Sequence, residues 1–168
     1  MVGYRRSPKV RFALRFIAMN PHRFGKLLVT LQFGLIAALA VLCAPQTTEQ
    51  LPGQVSIVFW LASVILGLWT LSANRPGNFN IRPEPRTEGH LIMTGPYRWI
   101  RHPMYTSVLL LAAGASTWLA DLTGVVIWLA LLAVLIAKAR LEERWLVLRY
   151  PDYQTYRKGT WRLVPGLY

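Results

Sequence analysis

The stretch that decides the fold is MYTSVLLLAAGASTWLA (residues 104–120), followed by Asp121 and LTGVVIWLALLAVLIA (residues 122–137). These apolar runs of 17 and 16 residues are much longer than a β-strand and close to the length of a helix that crosses a bilayer. Because a single charged residue separates them, they predict a tight helical hairpin. We expect its second helix to continue to residue 148, since neither proline nor glycine interrupts that stretch.

Two more uncharged runs lie upstream, at residues 27–44 and 55–72, and each has 18 residues. The chain has 168 residues, of which 54% are hydrophobic and 15% are charged, and its mean hydropathy is +0.32. That composition leaves too little polar surface for a water-soluble domain of this size. The sequence therefore predicts an all-α integral membrane protein with about four transmembrane helices and a C-terminal helical hairpin.

Charge alternates between the segments that flank the apolar runs. It is +7 in residues 1–26, −1 in residues 45–54, +3 in residues 73–103, −1 at Asp121 and +4 in residues 138–168. Positive segments stay on the cytoplasmic side of a membrane, so both termini and the middle loop are predicted to be cytoplasmic. Topology and anionic headgroups together explain the net charge of +12, so nucleic-acid binding loses most of its support and is not expected.

These boundaries divide the chain into three parts. Residues 1–26 form a basic segment that is expected to lie along the membrane surface, residues 27–72 form a two-span anchor, and residues 73–168 hold the candidate chemistry. The basic lead is too long for a cleaved signal peptide, so we expect the first span to be retained. The short chain and compact loops favour a prokaryotic inner membrane. The lone Cys43 excludes a disulfide framework, and three scattered histidines show no metal-ligand spacing, so no metal is expected.

The first candidate cluster lies where the middle loop enters the third apolar run, in the sequence TGPYRWIRHPMY (residues 94–105). Pro103 suits the first turn of a helix, and Arg101 and His102 stand just ahead of it. Free backbone N–H groups at such a helix start, joined by two basic side chains, favour an anionic group such as a carboxylate. The competing interpretation is that Arg101 and His102 only mark the membrane interface.

The second cluster follows the fourth run and contains Lys138, Arg140, Glu142 and Glu143. Adjacent residues lie about 100° apart on a helix, so the two acids are expected to address different partners. Taken alone, the cluster is typical of a solvated, salt-bridged helix end. A hairpin, however, puts its entrance and its exit on the same membrane face. Arg101 and the two acids would then converge at one cytoplasmic mouth, where two opposite poles fit a zwitterionic ligand.

The order of these motifs resembles the isoprenylcysteine carboxyl methyltransferase family, which is related to the phospholipid N-methyltransferases. The resemblance covers about residues 89–165 and rests on Gly95-Pro96-Tyr97, Arg101-His102-Pro103-Met104-Tyr105, Glu142-Glu143 and Tyr153-x-x-Tyr156-Arg157. It implies a cytoplasmic cap that binds S-adenosyl-L-methionine without a Rossmann fold. The chain accordingly has no glycine-rich strand–helix fingerprint.

The resemblance also implies roles for individual residues. His102 and its helix start would meet the methionine end of the cofactor, and Glu142 or Glu143 would take its hydroxyl or amino groups. Lys138 or Arg140 would contact the substrate, because the alignment there is ambiguous by two residues. The implied cofactor-binding set is Leu91, Ile92, Gly95, Tyr97, Arg101, His102, Pro103, Tyr105, Glu142 and Glu143, and the implied catalytic set is Lys138, Arg140 and Glu142.

The implied activity is methyl transfer to a lipophilic or small acceptor at the cytoplasmic interface, most like carboxyl O-methylation of an isoprenylcysteine. One alternative is phospholipid N-methylation, although that branch is expected to carry asparagine where this chain has His102. The other is a non-enzymatic scaffold that binds anionic lipid through its basic faces. Membrane lipid is an expected partner in each case, whereas nucleic acid and metal are not.

Overall fold

The computed structural model describes residues 21–46, 50–74 and 89–167. Within these ranges the all-α prediction is confirmed, and the β-structure is limited to one isolated parallel bridge between Ile100 and Trp161. Most of the predicted interfacial segment and residues 75–88 of the middle loop lie outside the described residues. The helices are α1 (Pro21–Cys43), α2 (Gln54–Ala73), α3 (Pro103–Leu119), α4 (Leu122–Arg149) and α5 (Tyr153–Lys158), with a short 3-10 helix at Gly95–Arg98.

Three of the described helices are long and apolar enough to cross a membrane, namely His22–Cys43, Gln54–Ala73 and Leu122–Arg149. The outward face of α2 exposes large aliphatic side chains such as Val58 and Ile65, as expected of a surface that contacts lipid. The chain is thus an integral membrane protein. Because α3 has 17 residues and a full crossing needs about 20, a fourth span stays a prediction, as do the cytoplasmic termini and the prokaryotic membrane.

The hairpin between α3 and α4 turns within two residues. The first of them, Ala120, has a left-handed conformation with φ of 54° and ends α3. The second, Asp121, is the N-cap of α4, and its carboxylate accepts a hydrogen bond from the Gly124 N–H at 2.8 Å. The charge that separates the two apolar runs in the sequence therefore starts the second helix.

The last helix of the hairpin extends well past the apolar run, as predicted. It contains 28 residues and is about 42 Å long, which exceeds the roughly 30 Å of the hydrocarbon core. Its final turns, which carry Glu142 and Glu143, consequently extend toward the membrane–water interface.

Hydrogen bonds between the two helices show that α2 runs antiparallel to α3. The Ser56 and Thr117 hydroxyls lie 2.9 Å apart, and the Ser63 hydroxyl donates to the Ser107 carbonyl at 2.7 Å. The Ser63–Ser107 bond is buried between the two helices, where small residues let the backbones approach closely. The end of α2 is therefore beside the start of α3.

The first helix runs antiparallel to α4. The Lys138 ammonium donates to the Gln32 side-chain oxygen at 2.7 Å, and the His22 ring lies 5.9 Å from the Trp145 ring. The start of α1, the end of α2, the start of α3 and the end of α4 consequently share one end of the bundle. We call this end the mouth.

Candidate active site

A short C-terminal segment, residues 160–163, packs against the start of α3 at the mouth. The Arg101 N–H donates to the Trp161 carbonyl at 2.8 Å, and the His102 N–H donates to the Arg162 carbonyl at 3.1 Å. These two N–H groups precede the first turn of α3 and hold the C-terminal segment in place. An anionic ligand at the helix start itself stays a prediction.

Glu143 is the centre of the charged cluster at the mouth, and only 3% of its side chain is exposed. The Arg162 guanidinium donates to both carboxylate oxygens at 3.0 and 2.8 Å, and Arg101 Nε donates to Oε1 at 2.8 Å. Arg157 adds a more distant ion pair at 3.8 Å. Charge-assisted, bidentate bonds of this kind fix a carboxylate firmly. The positive and negative groups predicted to meet at the mouth are therefore in direct contact.

Glu142 faces a different set of partners, as the angular separation of the two acids predicts. Its carboxylate is 27% exposed and accepts a hydrogen bond from the Tyr105 hydroxyl at 2.7 Å. The Tyr105 ring stacks on the His102 ring with centroids 5.1 Å apart. His102 thus stands between the two acids, with Nδ1 3.6 Å from Glu142 and Nε2 3.4 Å from Glu143.

Lys138 and Arg140, the two candidate substrate contacts, occupy different faces of α4. Lys138 is buried, and its ammonium lies 5.0 Å from the centroid of the Tyr105 ring. It is also one turn from Glu142 and interacts with it electrostatically. Arg140 is exposed and lies about 200° around the helix from Lys138. The structure therefore brings Lys138 to the cluster and places Arg140 on the outer surface.

The 3-10 helix supplies another wall of the mouth. Gly95 has a φ of +60°, and a Cβ at this position would come within 2.7 Å of the Ala73 Cβ, so only glycine fits. The Tyr97 hydroxyl accepts a hydrogen bond from the Asn74 side chain at 3.2 Å, and its carbonyl accepts one from the Tyr156 hydroxyl at 2.7 Å. Burial raises the pKa of both phenols, which keeps these hydroxyl groups neutral.

The remaining predicted residues lie around this cluster. Pro103 is buried as the first residue of α3, while Leu91 and Ile92 are half-buried in the segment before the 3-10 helix. The residues that the structure joins by direct contacts are Arg101, His102, Tyr105, Lys138, Glu142 and Glu143.

Two buried polar atoms of this region have no hydrogen-bond partner among the described residues, His102 Nε2 and the Tyr153 hydroxyl. A buried polar group without a partner costs about 1–3 kcal/mol, so such groups need an explanation. A ligand that carries carboxylate, amino and hydroxyl groups would supply the missing partners. S-adenosylmethionine, the cofactor expected from the resemblance, carries all three, and the residues present at the mouth fit it.

Sequence reasoning assigned no role to Arg157, Arg162 or Tyr153. Arg157 and Arg162 both pair with Glu143, while Arg157 and Tyr153 belong to the Tyr-x-x-Tyr-Arg motif, which alone gives neither residue a role. Arg162 lies in an irregular segment 19 residues beyond Glu143, and no periodic sequence pattern predicts where the side chains of such a segment lie. Only the pairing of the C-terminal segment with the start of α3 reveals its contact.

A comparison with family models matches residues 53–153 to PEMT, the phospholipid methyltransferase family. This match covers more than half of the chain and includes α2, α3 and α4 with His102, Glu142 and Glu143. The family lies within the isoprenylcysteine carboxyl methyltransferase-like superfamily, so the resemblance is confirmed at that broader level. The isoprenylcysteine carboxyl methyltransferase family itself stays a prediction. No curated protein matches the chain.

Proposed function

The chain belongs to the phospholipid methyltransferase family, and on that premise we propose that it is an S-adenosylmethionine-dependent methyltransferase acting on a lipophilic acceptor at the membrane interface. The observation that carries this proposal is the contact of His102 and Tyr105 with Glu142 and Glu143 at one end of an apolar helix bundle. An amphiphile placed there would keep its chain in lipid while its polar head enters the mouth.

Different residues of the mouth would bind different groups of the cofactor. Glu142 is partly exposed and offers a carboxylate oxygen to an amino or hydroxyl group, and His102 Nε2 lies 3.4 Å from Glu143 without a hydrogen bond of good geometry. Bound S-adenosylmethionine supplies an activated methyl group on its sulfonium. The side chains therefore need to position the acceptor and exclude water rather than perform covalent chemistry.

A carboxylate on a lipophilic chain is the first candidate acceptor. A carboxylate is nucleophilic without losing a proton, so this reaction needs no general base. The cationic side chains gathered at the mouth, Arg101, Arg157, Arg162 and Lys138, outnumber its two acids. The resulting positive charge favours an anionic head.

The amine of a phospholipid is the second candidate, and it is favoured by the family match. An amine must lose a proton before it attacks a methyl group. Glu142 is the accessible carboxylate of the pair, since Glu143 is held by Arg101 and Arg162. In this version of the reaction Glu142 accepts the proton.

The two acceptors are distinguished by the product. Purified protein is incubated with methyl-labelled S-adenosylmethionine in vesicles that contain either a prenylated cysteine or phosphatidylethanolamine. Mild alkali then releases the label from a methyl ester as methanol but leaves a methylated amine intact. Transfer to either lipid that is lost in His102→Ala supports the proposal. No label in lipid extracts from folded protein with either acceptor contradicts it.

A further inference from the structure

Tyr153 differs from the other tyrosines that the structure describes. It is the first residue of α5, it is 1% exposed, and its hydroxyl has no hydrogen-bond partner in residues 21–46, 50–74 and 89–167. The hydroxyl groups of Tyr97, Tyr105, Tyr150 and Tyr156 each make a hydrogen bond within the protein. A buried hydroxyl without a partner is costly, so its retention needs a reason outside the folded chain itself.

The helix that carries this hydroxyl contacts the candidate site, because the Arg101 guanidinium donates to the Arg157 carbonyl of α5 at 3.1 Å. Besides burial, the groups that act electrostatically on Tyr153 include Glu143, Arg101 and Glu142 of that site. Glu143 already accepts hydrogen bonds from Arg101 and Arg162, and Glu142 accepts one from Tyr105. The hydroxyl therefore borders the site while the nearby carboxylates are engaged elsewhere.

We infer that the Tyr153 hydroxyl is a cofactor-binding group that hydrogen-bonds to a polar group of bound S-adenosylmethionine. This inference rests on the proposed function and adds a residue from α5 to the site. His102 Nε2, the second unpartnered atom of the mouth, also lies beside Glu143. Glu143 acts electrostatically on both residues, and a single ligand with several polar groups can satisfy the two atoms.

A binding role and a structural role for this hydroxyl give opposite results in Tyr153→Phe. Because the hydroxyl makes no hydrogen bond within the part of the chain that the structure describes, its removal is expected to leave the thermal unfolding midpoint of the cofactor-free protein unchanged or raised. The loss of one hydrogen bond to the ligand is expected to weaken S-adenosylmethionine binding about five- to tenfold. Tyr156→Phe is the matched variant, since that hydroxyl donates to the Tyr97 carbonyl at 2.7 Å and its loss should lower the midpoint.

The experiment measures S-adenosylmethionine affinity by calorimetry and thermal unfolding for the wild type, Tyr153→Phe, Tyr156→Phe and Trp118→Phe. Trp118 Nε1 is also buried without a partner, but it lies 16 residues along α3 from His102, about 24 Å away. Trp118→Phe is therefore expected to keep the wild-type affinity.

Weaker binding by Tyr153→Phe at an unchanged midpoint is the predicted result. Equal affinities of wild type and Tyr153→Phe overturn the inference and leave the proposed function intact, and so does a loss of affinity that only follows a lower midpoint. Absence of binding by the folded wild type overturns the inference together with the proposed function.

Discussion

Arg162 donates to both carboxylate oxygens of Glu143, with Nε 3.0 Å from Oε1 and Nη2 2.8 Å from Oε2. The pair joins the C-terminal segment to the end of α4. The Arg162 carbonyl also accepts a hydrogen bond from the His102 N–H, so the same residue holds the N-cap residue of α3 in place. The relative positions of His102 and Glu143 consequently depend on the segment that follows α5.

The Arg162–Glu143 pair predicts that Arg162→Ala destabilises the protein. Removal of a bidentate charged partner from a buried carboxylate should cost about 2–3 kcal/mol, because Arg101 still neutralises part of the charge. Thermal unfolding in detergent measures the loss. Arg144→Ala is the control, since Arg144 is exposed on the same helix and its replacement should change stability by less than about 0.5 kcal/mol. Equal midpoints for the two variants would show that the pair contributes nothing.

We expect Glu143 to stabilise the fold and Glu142 to bind the ligand. Glu143→Gln leaves two buried guanidinium groups facing a neutral amide, so we expect it to lower stability by about 3 kcal/mol. Glu142→Gln keeps an acceptor for the Tyr105 hydroxyl and should remain within about 1 kcal/mol of the wild type, while S-adenosylmethionine affinity falls at least about tenfold. Thermal unfolding and calorimetric titration of both variants check these two roles. A large loss of stability in Glu142→Gln, together with a loss of affinity alone in Glu143→Gln, would contradict the assignment.

The backbone at Gly95 predicts a third effect. A side chain there has an unfavourable φ of +60° and meets the Ala73 Cβ at 2.7 Å, so Gly95→Ala should destabilise by about 1–3 kcal/mol and displace the 3-10 helix. Gly34→Ala provides the contrast, because Gly34 lies within α1 and a methyl group added there would meet no atom within 4 Å. That change should be neutral or stabilise the helix by up to about 1 kcal/mol. Similar unfolding midpoints for the two variants would contradict this assignment.

Buried tyrosines predict how stability depends on pH. Burial raises the pKa of Tyr153 and Tyr156 well above the usual value of about 10. The stability that comes from these neutral phenols is therefore fully present below about pH 10 and is lost as the pH rises above it, where the unfolded chain ionises first. We expect the unfolding midpoint to fall between about pH 8 and about pH 11, and to fall less in Tyr153→Phe. If the unfolding midpoints of the wild type and Tyr153→Phe fell equally with pH, ionisation of Tyr153 would not contribute to the loss of stability.

Much of the mouth can be predicted from the sequence because it follows from helix geometry. Pro103 and His102 mark the start of α3, and the uninterrupted run after residue 137 predicts the extension of α4. A hairpin of two such helices brings His102 to Glu142 and Glu143 by connectivity alone. The 100° between adjacent residues then predicts that the two acids have different partners, as the structure shows.

The parts that could not be predicted depend on how each helix is rotated about its own axis and on contacts between residues far apart in the sequence. Lys138 and Arg140 are two residues apart, and only the packing of α4 on Gln32 of α1 shows which one faces inward. Arg162 reaches Glu143 because an irregular segment pairs its backbone with residues 101 and 102, and no periodic pattern encodes such pairing. The acceptor is likewise outside the reach of sequence patterns, since it depends on a shape that the motifs do not specify.

Calorimetric titration of the purified protein in lipid-supplemented detergent shows whether the mouth binds S-adenosylmethionine. We expect saturable binding by the wild type that is lost in His102→Ala and weakened at least about tenfold in Glu142→Gln. Folded wild-type protein that does not bind the cofactor would contradict this role of the mouth, and so would wild-type affinity in both variants.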